Sequence, residues 1–298
     1  MQSFKQYAII GPTASGKTAL AIALAQKENA YILSLDSLAI YKEIDIVSAK
    51  PTPQERNGIE HFGIDCLYPN EAFDVTTFIA LYQNAKSAAV AAAKNLVIVG
   101  GTSFYLKMLL EGISPRPTLS QEQQQEVARQ MQDPNRVYRE LLAIDSDYMQ
   151  QIQPGDRYRT QKALEVLVAT KTPAGVYFAA NPPQPIITES LPIYEIVWDR
   201  TTLRERIRLR TEKMVSDGLI DEIITLEKKY TRAPHCMKAI GIKETLIYLD
   251  GYYNKAQLIE KIAINTGRLA KRQETFNRSQ FKDVIRGDLK ELKQRLLS

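Results

Sequence analysis

An eight-residue segment near the start of the chain has the spacing of a phosphate-binding loop. It runs Gly11-Pro12-Thr13-Ala14-Ser15-Gly16-Lys17-Thr18, which fits G-x-x-x-x-G-K-[ST], between a short apolar run and an Ala-rich helical run. Its glycines let successive backbone N–H groups face an anion at a helix N-terminus. Lys17 adds a positive charge, and the Thr18 hydroxyl can reach phosphate or Mg²⁺. The sequence therefore predicts a phosphate site.

The residues after two other apolar runs bear on which phosphates the loop holds. Most such loops bind ATP or GTP, but the run Leu96–Val99 is followed by Gly100-Gly101-Thr102, where a nucleoside triphosphatase would place an Asp for Mg²⁺. A carboxylate stands instead at Asp36, after the second run. Ligands of α/β sheets lie at the carboxyl ends of the strands, so we expect Asp36 and Thr102 beside the loop. Asp36 could also cap a helix or act as the base of a kinase. These residues alone permit phosphoryl transfer or another reaction at a diphosphate.

Short apolar runs alternate with helical stretches in the first 110 residues, which predicts an α/β fold. Tyr7–Ile10, Tyr31–Leu35 and Leu96–Val99 are predicted as buried strands, and Lys17–Glu28 and Phe78–Lys94 have the Ala/Leu spacing of helices. This alternation is typical of a parallel sheet with helices on both faces. Together with the loop it predicts a P-loop NTPase-like core.

The residue composition and its periodicity change at the Pro-containing segment 114–117. Residues 118–172 are rich in Gln, Glu, Arg and Leu at helical spacing, with no convincing strand. Tyr194–Trp198 is predicted as a strand that returns to the sheet, with Trp198 in the core. Helices are predicted to dominate from Leu203 to the end. The predicted domains are an α/β core, 1–114 and 186–298, and a helical insertion, 115–185.

The bulk composition is that of an ordinary globular protein of 298 residues, 44% of them hydrophobic and 24% charged. The most apolar region, Ala88–Val99, contains Lys94 and is too short to span a membrane. The stretch MQSFKQYAIIG does not resemble a signal peptide. Cys66 and Cys236 lack His or Cys neighbours at metal-ligand spacing, which favours reduced thiols. We expect a cytoplasmic protein, a monomer with no membrane partner.

The net charge of +5 is unevenly distributed along the chain. Residues 1–110 carry a net charge of 0, residues 111–190 carry −2, and residues 191–298 carry +7. The positive net charge of residues 191–298 suggests that this segment binds a polyanion. Solvated helix faces rich in Lys and Arg would give the same count, so charge alone leaves both interpretations open.

Further sequence blocks follow the phosphate loop in a fixed order. They are Asp36-Ser37-Leu38-Ala39-Ile40-Tyr41, Asp45-Ile46, Ala49-Lys50-Pro51, Val99-Gly100-Gly101-Thr102-Ser103-Phe104-Tyr105, Gly112-Ile113-Ser114-Pro115, Pro154 to Val166, Arg206 to Leu219, and Ala270 to Arg278. Together with the loop they resemble the bacterial tRNA dimethylallyltransferase family, also called IPP transferases, over about residues 6–280.

The chain departs from the usual family pattern at a few positions. Ile242 stands where Tyr is usual, which removes a hydroxyl that could contact RNA. We expect the departures to affect substrate affinity rather than reaction type. They are Val47-Ser48 in place of G-T, Gly155 in place of Asn, Ile242 in place of Tyr, Phe276 in place of Trp, and His61-Phe62 in place of an H-H or H-R pair.

The resemblance implies transfer of a dimethylallyl group from dimethylallyl diphosphate to N6 of the adenosine 3′-adjacent to the anticodon in tRNA. The loop Gly11–Thr18 would hold the diphosphate, with Mg²⁺ at Thr18 as the cofactor. Arg210 would stabilise the charge of the leaving group, and its i−4 neighbour Arg206 would support it on the same helix face. For both arginines, plain surface charge is the alternative.

The resemblance also implies roles for residues that meet the base and the tRNA. Asp36 would act as general base on the amine, while Thr13 and Thr102 would orient the leaving group and the base. The adenine must be flipped out to reach the site. The predicted tRNA-binding residues are Asp36, Ser37, Leu38, Ala39 and Thr102 at the flipped nucleotide, Arg159 and Lys162 on the insertion, and Lys238 and Lys243 around Gly241.

Three other functions remain as alternatives. An adenylate isopentenyltransferase would prenylate free AMP, ADP or ATP. Binding a small nucleotide requires neither a long helical insertion nor a basic C-terminal segment. A P-loop small-molecule kinase would share the loop, but it lacks the later blocks. A non-catalytic RNA-binding protein would not require Lys17, Thr18, Asp36 and Thr102 together.

Overall fold

The computed structural model describes residues 4–298. Met1–Ser3, the start of the stretch that does not resemble a signal peptide, lie outside the described residues. The chain separates into two compact units. One contains the residues up to Leu110 together with Ile187–Ser298, and the other is Glu111–Ile186.

The larger unit is built on a six-stranded sheet in which every neighbouring pair is parallel. The strand order is β3-β2-β4-β1-β5-β6. This confirms the predicted α/β fold with a parallel P-loop-type sheet. The strands are β1 (Gln6–Ile10), β2 (Ala30–Leu35), β3 (His61–Phe62), β4 (Asn95–Gly100), β5 (Ile193–Ile196) and β6 (Val284–Gly287).

The helices account for most of the remaining chain. Along residues 4–298 they are α1 (Lys17–Lys27), α2 (Val75–Ala91), α3 (Ser103–Glu111), α4 (Gln121–Gln130), α5 (Pro134–Ile144), α6 (Ser146–Met149), α7 (Arg157–Thr170), α8 (Ala174–Ala180), α9 (Arg200–Ser216), α10 (Leu219–Tyr230), a short 3-10 helix (His235–Lys238), α11 (Ile242–Leu249), α12 (Lys255–Gln280) and α13 (Leu289–Leu297). None of these helices combines the length and apolarity that crossing a membrane requires.

The three central strands end at the same level, which places their following loops side by side. Every residue of β4 is buried. Gly100, its last residue, lies opposite Ile10 of β1 on one side and Leu35 of β2 on the other. The phosphate loop, Asp36 and Thr102 follow these three strand ends directly. The parallel register therefore brings the predicted site residues to one edge of the sheet.

Apolar side chains of the first two helices cover the central strands. Leu20, Ala21 and Leu24 of α1 pack in one buried cluster with strand residues such as Ile32 and Val97. On α2, Phe78 and Tyr82 are almost fully buried. Helix α2 begins three residues before its predicted start, because Asp74 accepts hydrogen bonds from the N–H groups of Thr76 and Thr77 as an N-cap.

The C-terminal region is mostly helical, as predicted, but it also contains a strand. Helices α9 to α12 share a buried cluster with the segment after β2, including Ile44, Leu219 and Leu258. Val284–Gly287 then forms the edge strand β6 beside β5. The predicted dominance of helices is confirmed, and only this strand was not predicted, since four residues containing an exposed Arg286 carry no strand periodicity.

The smaller unit is the helical insertion, with its own core of residues from α4 to α8, including Val127, Leu141 and Leu164. The unit begins at Glu111, four residues before the predicted start of the insertion at Pro115. Gly112 has φ 81°, and a Cβ there would lie 1.9 Å from the backbone oxygen of Gln184. The outgoing and returning chain segments therefore already pack together at Gly112, which only glycine permits.

Truncation of a central strand should destabilise the larger unit strongly. Ile98, on β4, has no exposed surface. We expect Ile98→Ala to lower the free energy of unfolding by about 2–5 kcal/mol, because it leaves a cavity between sheet and helices. Ile264→Ala on α12, where the side chain is 42% exposed, is the matched control and should cost under about 0.5 kcal/mol. Urea titration measures both, and equal losses would contradict this account of the core.

Candidate active site

The phosphate loop adopts backbone conformations that its sequence makes possible. Gly11 has φ 145°, and a Cβ there would lie 2.7 Å from the backbone oxygen of Ile196 on β5. Gly16 has φ 93° and is the N-cap of α1. Ala14 also has a positive φ, 62°, a left-handed conformation that is unfavourable for any residue with a Cβ. The rest of the structure must therefore hold Ala14 in place.

Side chains bond the backbone of four successive loop residues, and three of the four come from distant elements. The bonds run from Lys17 Nζ to the Pro12 oxygen (2.6 Å), from the Thr13 N–H to Gln273 Oε1 (3.0 Å), from Arg206 Nε to the Ala14 oxygen (2.8 Å), and from Trp198 Nε1 to the Ser15 oxygen (3.0 Å). None of these contacts is local except that of Lys17. The loop is therefore preorganised by tertiary structure.

Arg206 and Trp198 form one support beneath the loop. The Arg206 guanidinium lies 4.7 Å from the centre of the Trp198 ring, a cation–π contact that orients both donors. The prediction that Trp198 is a core residue was incomplete, since its ring is only partly buried and its N–H bonds the loop. Arg206 donates to the carbonyl of Ala14, and its predicted support of Arg210 stays a prediction.

Asp36 lies at the end of β2 with one carboxylate oxygen engaged. Its Oδ1 accepts hydrogen bonds from the N–H groups of Leu38 (2.8 Å) and Ala39 (3.1 Å). These bonds stabilise a turn rather than a helix, so the helix-cap alternative does not apply. The other carboxylate oxygen of Asp36 accepts no hydrogen bond from the described residues 4–298 and is available to a ligand.

Thr102 is fixed next to Asp36 by the sheet. Its N–H donates to the backbone oxygen of Leu35, the residue before Asp36, at 3.0 Å. A Cβ at Gly100 would lie 2.3 Å from the same oxygen, so glycine is required for this close approach. The two loops that carry Asp36 and Thr102 are thus held at a fixed separation.

Two cations lie at the loop, the buried Lys17 and the partly buried Arg210. Burial and, next, the charge of Arg210 lower the pKa of Lys17 to about 7, while the negative charge of Asp36 acts in the opposite direction. Burial also lowers the pKa of Arg210. The Nη1 of Arg210 donates to Thr13 Oγ1 at 3.3 Å. Because neighbouring cations with little access to water destabilise each other, an anion bound between them relieves the cost.

One cavity of about 540 Å³ connects these groups. Among the predicted site residues it is lined by Thr13, Lys17, Thr18, Asp36, Ser37, Leu38, Ala39, Thr102, Arg210 and Lys238. Arg206 and Lys243 do not line it. Arg159 and Lys162 belong to the insertion unit.

The four lysines and arginines predicted to contact tRNA differ in their surroundings. Lys238 and Lys243 are exposed, and neither forms an ion pair with another residue of the segment 4–298. In the insertion, Lys162 pairs with Glu165 at 2.6 Å, and Arg159 lies 3.5 Å from Asp156. An external phosphate would have to compete with these carboxylates.

Ile242 does not occupy a position from which it could contact RNA. Its side chain has no exposed surface and packs in the cluster beneath α11. The expectation that a Tyr at this position would offer a hydroxyl to RNA stays a prediction, since the buried Ile242 shows only where the apolar part of the side chain packs. Val47 also packs inward, against Gly241, where a Cβ would lie 2.4 Å from Val47 Cγ2.

Gln273 was missed as a site residue. It lies on α12, lines the cavity and bonds the loop. In the sequence it stands inside the block Ala270 to Arg278 among charged residues, which gives no local sign of a buried contact. Only its membership of that block could have indicated it.

The residues around Thr18 fit a magnesium ion shared with a ligand. Thr18 is exposed on the cavity wall. No cluster of three or more His, Cys, Asp or Glu side chains suited to a metal occurs in residues 4–298. Mg²⁺ is commonly held by one or two protein oxygens together with substrate phosphates and water, which matches a single hydroxyl beside the phosphate loop.

Taken together, the sheet, the loop and the carboxylate define a P-loop α/β enzyme that acts on a phosphate-bearing substrate. The family model of IPP transferases matches residues 39–280. The tRNA dimethylallyltransferase of Sulfurovum sp. (strain NBC37-1) is 60% identical over 99% of this chain and 98% of its own length. The chain therefore belongs to the IPP transferase family of tRNA dimethylallyltransferases, which are prenyltransferases.

Solved structures agree with this assignment. The full-length tRNA isopentenylpyrophosphate transferase of Bacillus halodurans covers 99% of this chain and 95% of its own, at 28% identity and a TM-score of 0.72. A eukaryotic dimethylallyltransferase acting on tRNA covers 98% of this chain and 75% of its own, at 26% identity and a TM-score of 0.86.

The lowered pKa of Lys17 predicts a pH dependence of diphosphate binding. Below pH about 7 Lys17 is already protonated, and affinity does not change through this group. Above it the free protein must take up a proton on binding, so affinity for inorganic pyrophosphate should fall by up to about tenfold per pH unit. Titration calorimetry in buffers of different ionisation enthalpy counts that proton.

The matched control is Lys17→Arg, whose guanidinium stays charged throughout this range. The titration of pyrophosphate itself is common to both proteins and cancels in the comparison. Identical pH profiles for the two would contradict the assignment of the buried cation.

Proposed function

We propose that the protein transfers a dimethylallyl group from dimethylallyl diphosphate to N6 of the adenosine 3′-adjacent to the anticodon in tRNA, and releases diphosphate. The observation that carries the proposal is the common cavity of the diphosphate loop and Asp36. Residues of the phosphate loop and the carboxylate of Asp36, one oxygen of which is available to a ligand, line the same cavity. The tRNA named in the relatives' descriptions supports the choice of acceptor.

The loop and its cations favour departure of the diphosphate. As the C1–O bond of the donor breaks, the electron pair moves to the diphosphate, whose negative charge grows. Lys17 and Arg210 lie where that charge accumulates, together with the amides at the start of α1. Fixed donors of this kind stabilise the transition state more than the ground state.

Asp36 accounts for the acceptor side of the reaction. As N6 of adenine attacks C1, a C–N bond forms and N6 must lose a proton. The free oxygen of Asp36 accepts that proton as general base, while its Oδ1 stays bonded to the turn. Thr102 beside it orients the base. Thr13 performs the equivalent task for the diphosphate through its contact with Arg210.

Magnesium completes the diphosphate site in this proposal. Thr18 would hold the ion, and the ion would neutralise the charge of the diphosphate. The roles of the loop amides, Lys17 and Arg210 do not depend on the position of the ion.

The adenine reaches the cavity only when it is extruded from the anticodon loop. The turn Ser37–Ala39 lines the cavity beyond Asp36 and would contact the flipped nucleotide. Ala39 is buried, so its contribution is the shape of the wall. The exposed and unpaired Lys238 and Lys243 would bind backbone phosphates of the anticodon stem-loop.

One assay distinguishes the proposed transfer to tRNA from two alternative functions. An adenylate isopentenyltransferase would share the donor site, and a kinase would share the loop. Radiolabelled dimethylallyl diphosphate, Mg²⁺ and the protein are mixed with either unmodified tRNA or free AMP. We expect label in tRNA alone. Transfer to AMP would establish the first alternative, and transfer of phosphate from ATP without prenyl transfer would establish the second.

Replacing Asp36 by asparagine should abolish most of the activity without disturbing the turn. The amide oxygen of Asp36→Asn can still accept from Leu38 and Ala39 but cannot take a proton at neutral pH. We expect single-turnover prenyl transfer to fall by about 10²–10⁴-fold, with tRNA affinity changed by less than a factor of about three. Asp36→Ala, which also removes the turn contacts, is the less selective comparison. Near-normal turnover in Asp36→Asn would show that another group is the base.

Exposed unpaired lysines should contribute more to tRNA affinity than paired ones. Loss of Lys238 and Lys243 together should reduce the slope of log affinity against log salt by about 1.4–1.8, measured by filter binding. The double variant Arg159→Ala, Lys162→Ala should have a smaller effect, because both side chains already contact carboxylates. Lys229→Ala, which removes a lysine paired with Glu43, is the control. An unchanged slope in the first variant would exclude these two lysines from the interface.

A further inference from the structure

The amide of Gln273 lies between the two loops that frame the cavity. Gln273 is on α12, far from both loops in sequence. Its Oε1 accepts the N–H of Thr13 at 3.0 Å, and its Nε2 donates to the backbone oxygen of Gly101 at 2.9 Å. One side chain therefore bridges the phosphate loop and the β4–α3 turn.

The two partners fix the orientation of this amide. Thr13 offers an N–H and requires an acceptor, whereas Gly101 offers an oxygen and requires a donor. Only the orientation with Oε1 towards Thr13 satisfies both, so the assignment of oxygen and nitrogen is not arbitrary. The Thr13 N–H is used by the protein itself, and the anion-binding amides of the loop must begin after it.

The approach of Gln273 depends on glycine at position 101. A Cβ at Gly101 would lie 2.4 Å from Gln273 Nε2, closer than real Cβ contacts allow. Gly101 has no positive φ that would explain its glycine by backbone conformation. The reason for a glycine here is the close packing of the Gln273 amide.

Hydrogen bonds continue from this bridge to Asp36. Thr102 follows Gly101, and its N–H donates to the oxygen of Leu35, which precedes Asp36. Thr13, at the other end of the bridge, also receives a hydrogen bond from Arg210. The hydrogen bonds that connect the phosphate loop with the residue before Asp36 thus include both bonds of Gln273.

We propose that Gln273 is a positioning residue that sets the separation between the diphosphate loop and Asp36, and thereby the geometry of group transfer. It touches neither the diphosphate nor the adenine in this role. The inference rests on the proposed prenyl transfer. It adds a determinant of rate that lies on α12, outside the phosphate loop and the Asp36 turn. An error of about 1 Å in such a separation can cost on the order of 100-fold in rate.

The first test compares Gln273→Leu with Thr275→Val. Gln273→Leu removes both hydrogen bonds at similar volume, while Thr275→Val removes one hydroxyl on the exposed side of the same helix, whose bond is to Lys271 within α12. We expect the single-turnover rate of Gln273→Leu at saturating substrates to fall at least about tenfold, with the KM for tRNA changed less than about threefold. Thr275→Val should match the wild type.

The second test uses Gln273→Glu and a pH profile. The ionised carboxylate can accept from Thr13 but repels the Gly101 oxygen, whereas the protonated acid can donate to it and restore both bonds. The rate of the variant relative to wild type should therefore rise as pH falls from about 8 to about 5.5, because burial raises the pKa of a carboxyl above about 4.3. Because ionisation of a buried carboxyl also lowers the stability of the fold, the rates are compared at a temperature at which the variant stays folded over this whole pH range, as its melting temperature shows. A role limited to folding stability would then give a flat ratio.

The outcomes separate this inference from the proposed function. Wild-type protein that fails to label tRNA would overturn the proposed function. Wild-type activity together with variants within about twofold of it would overturn the role of Gln273 alone. If Gln273→Leu does not fold, as judged by its melting temperature, the pH profile of Gln273→Glu decides. A flat ratio would then contradict the proposal.

Discussion

The constraint on which the site depends is the shape of the backbone from Gly11 to Gly16. Amides can converge on an anion only if the chain adopts left-handed conformations, and one of these falls on Ala14. The cost is offset by Arg206, Trp198 and Gln273, which bond the loop from elements about 185 to 260 positions later in the chain. Helices α9 and α12 are therefore parts of the phosphate site, although the loop motif ends at Thr18.

The parallel sheet supplies the second requirement, a fixed distance between the phosphate loop and the carboxylate of Asp36. Strands β1, β2 and β4 end in register, so the loop, Asp36 and Thr102 emerge at one edge. Glycines at 100 and 101 let the β4 turn approach Leu35 and Gln273 more closely than a side chain would permit. A rigid edge of this kind limits misalignment of the reacting atoms, which is where positional error is most costly.

The positive charges of Lys17 and Arg210 lie close together at the site. Lys17 is buried and Arg210 is partly buried, and desolvation together with their mutual repulsion lowers the pKa of Lys17 to about 7. A diphosphate relieves this repulsion when it binds, and more so as its charge grows during bond cleavage. The unpaired cations Lys238 and Lys243 lie outside this pair, where a longer polyanion is accessible to them.

The sequence by itself determined the features that depend on local pattern. These were the phosphate loop, strands β1, β2, β4 and β5 to within two residues, and the helical insertion. The short strands β3 and β6 escaped prediction because two to four residues carry no measurable periodicity. Tertiary structure alone decided that Ile242 is buried, that Trp198 and Arg206 hold the loop, and that Gln273 bridges two loops. Such contacts join residues far apart in the chain, and their direction is set by packing rather than by spacing along the sequence.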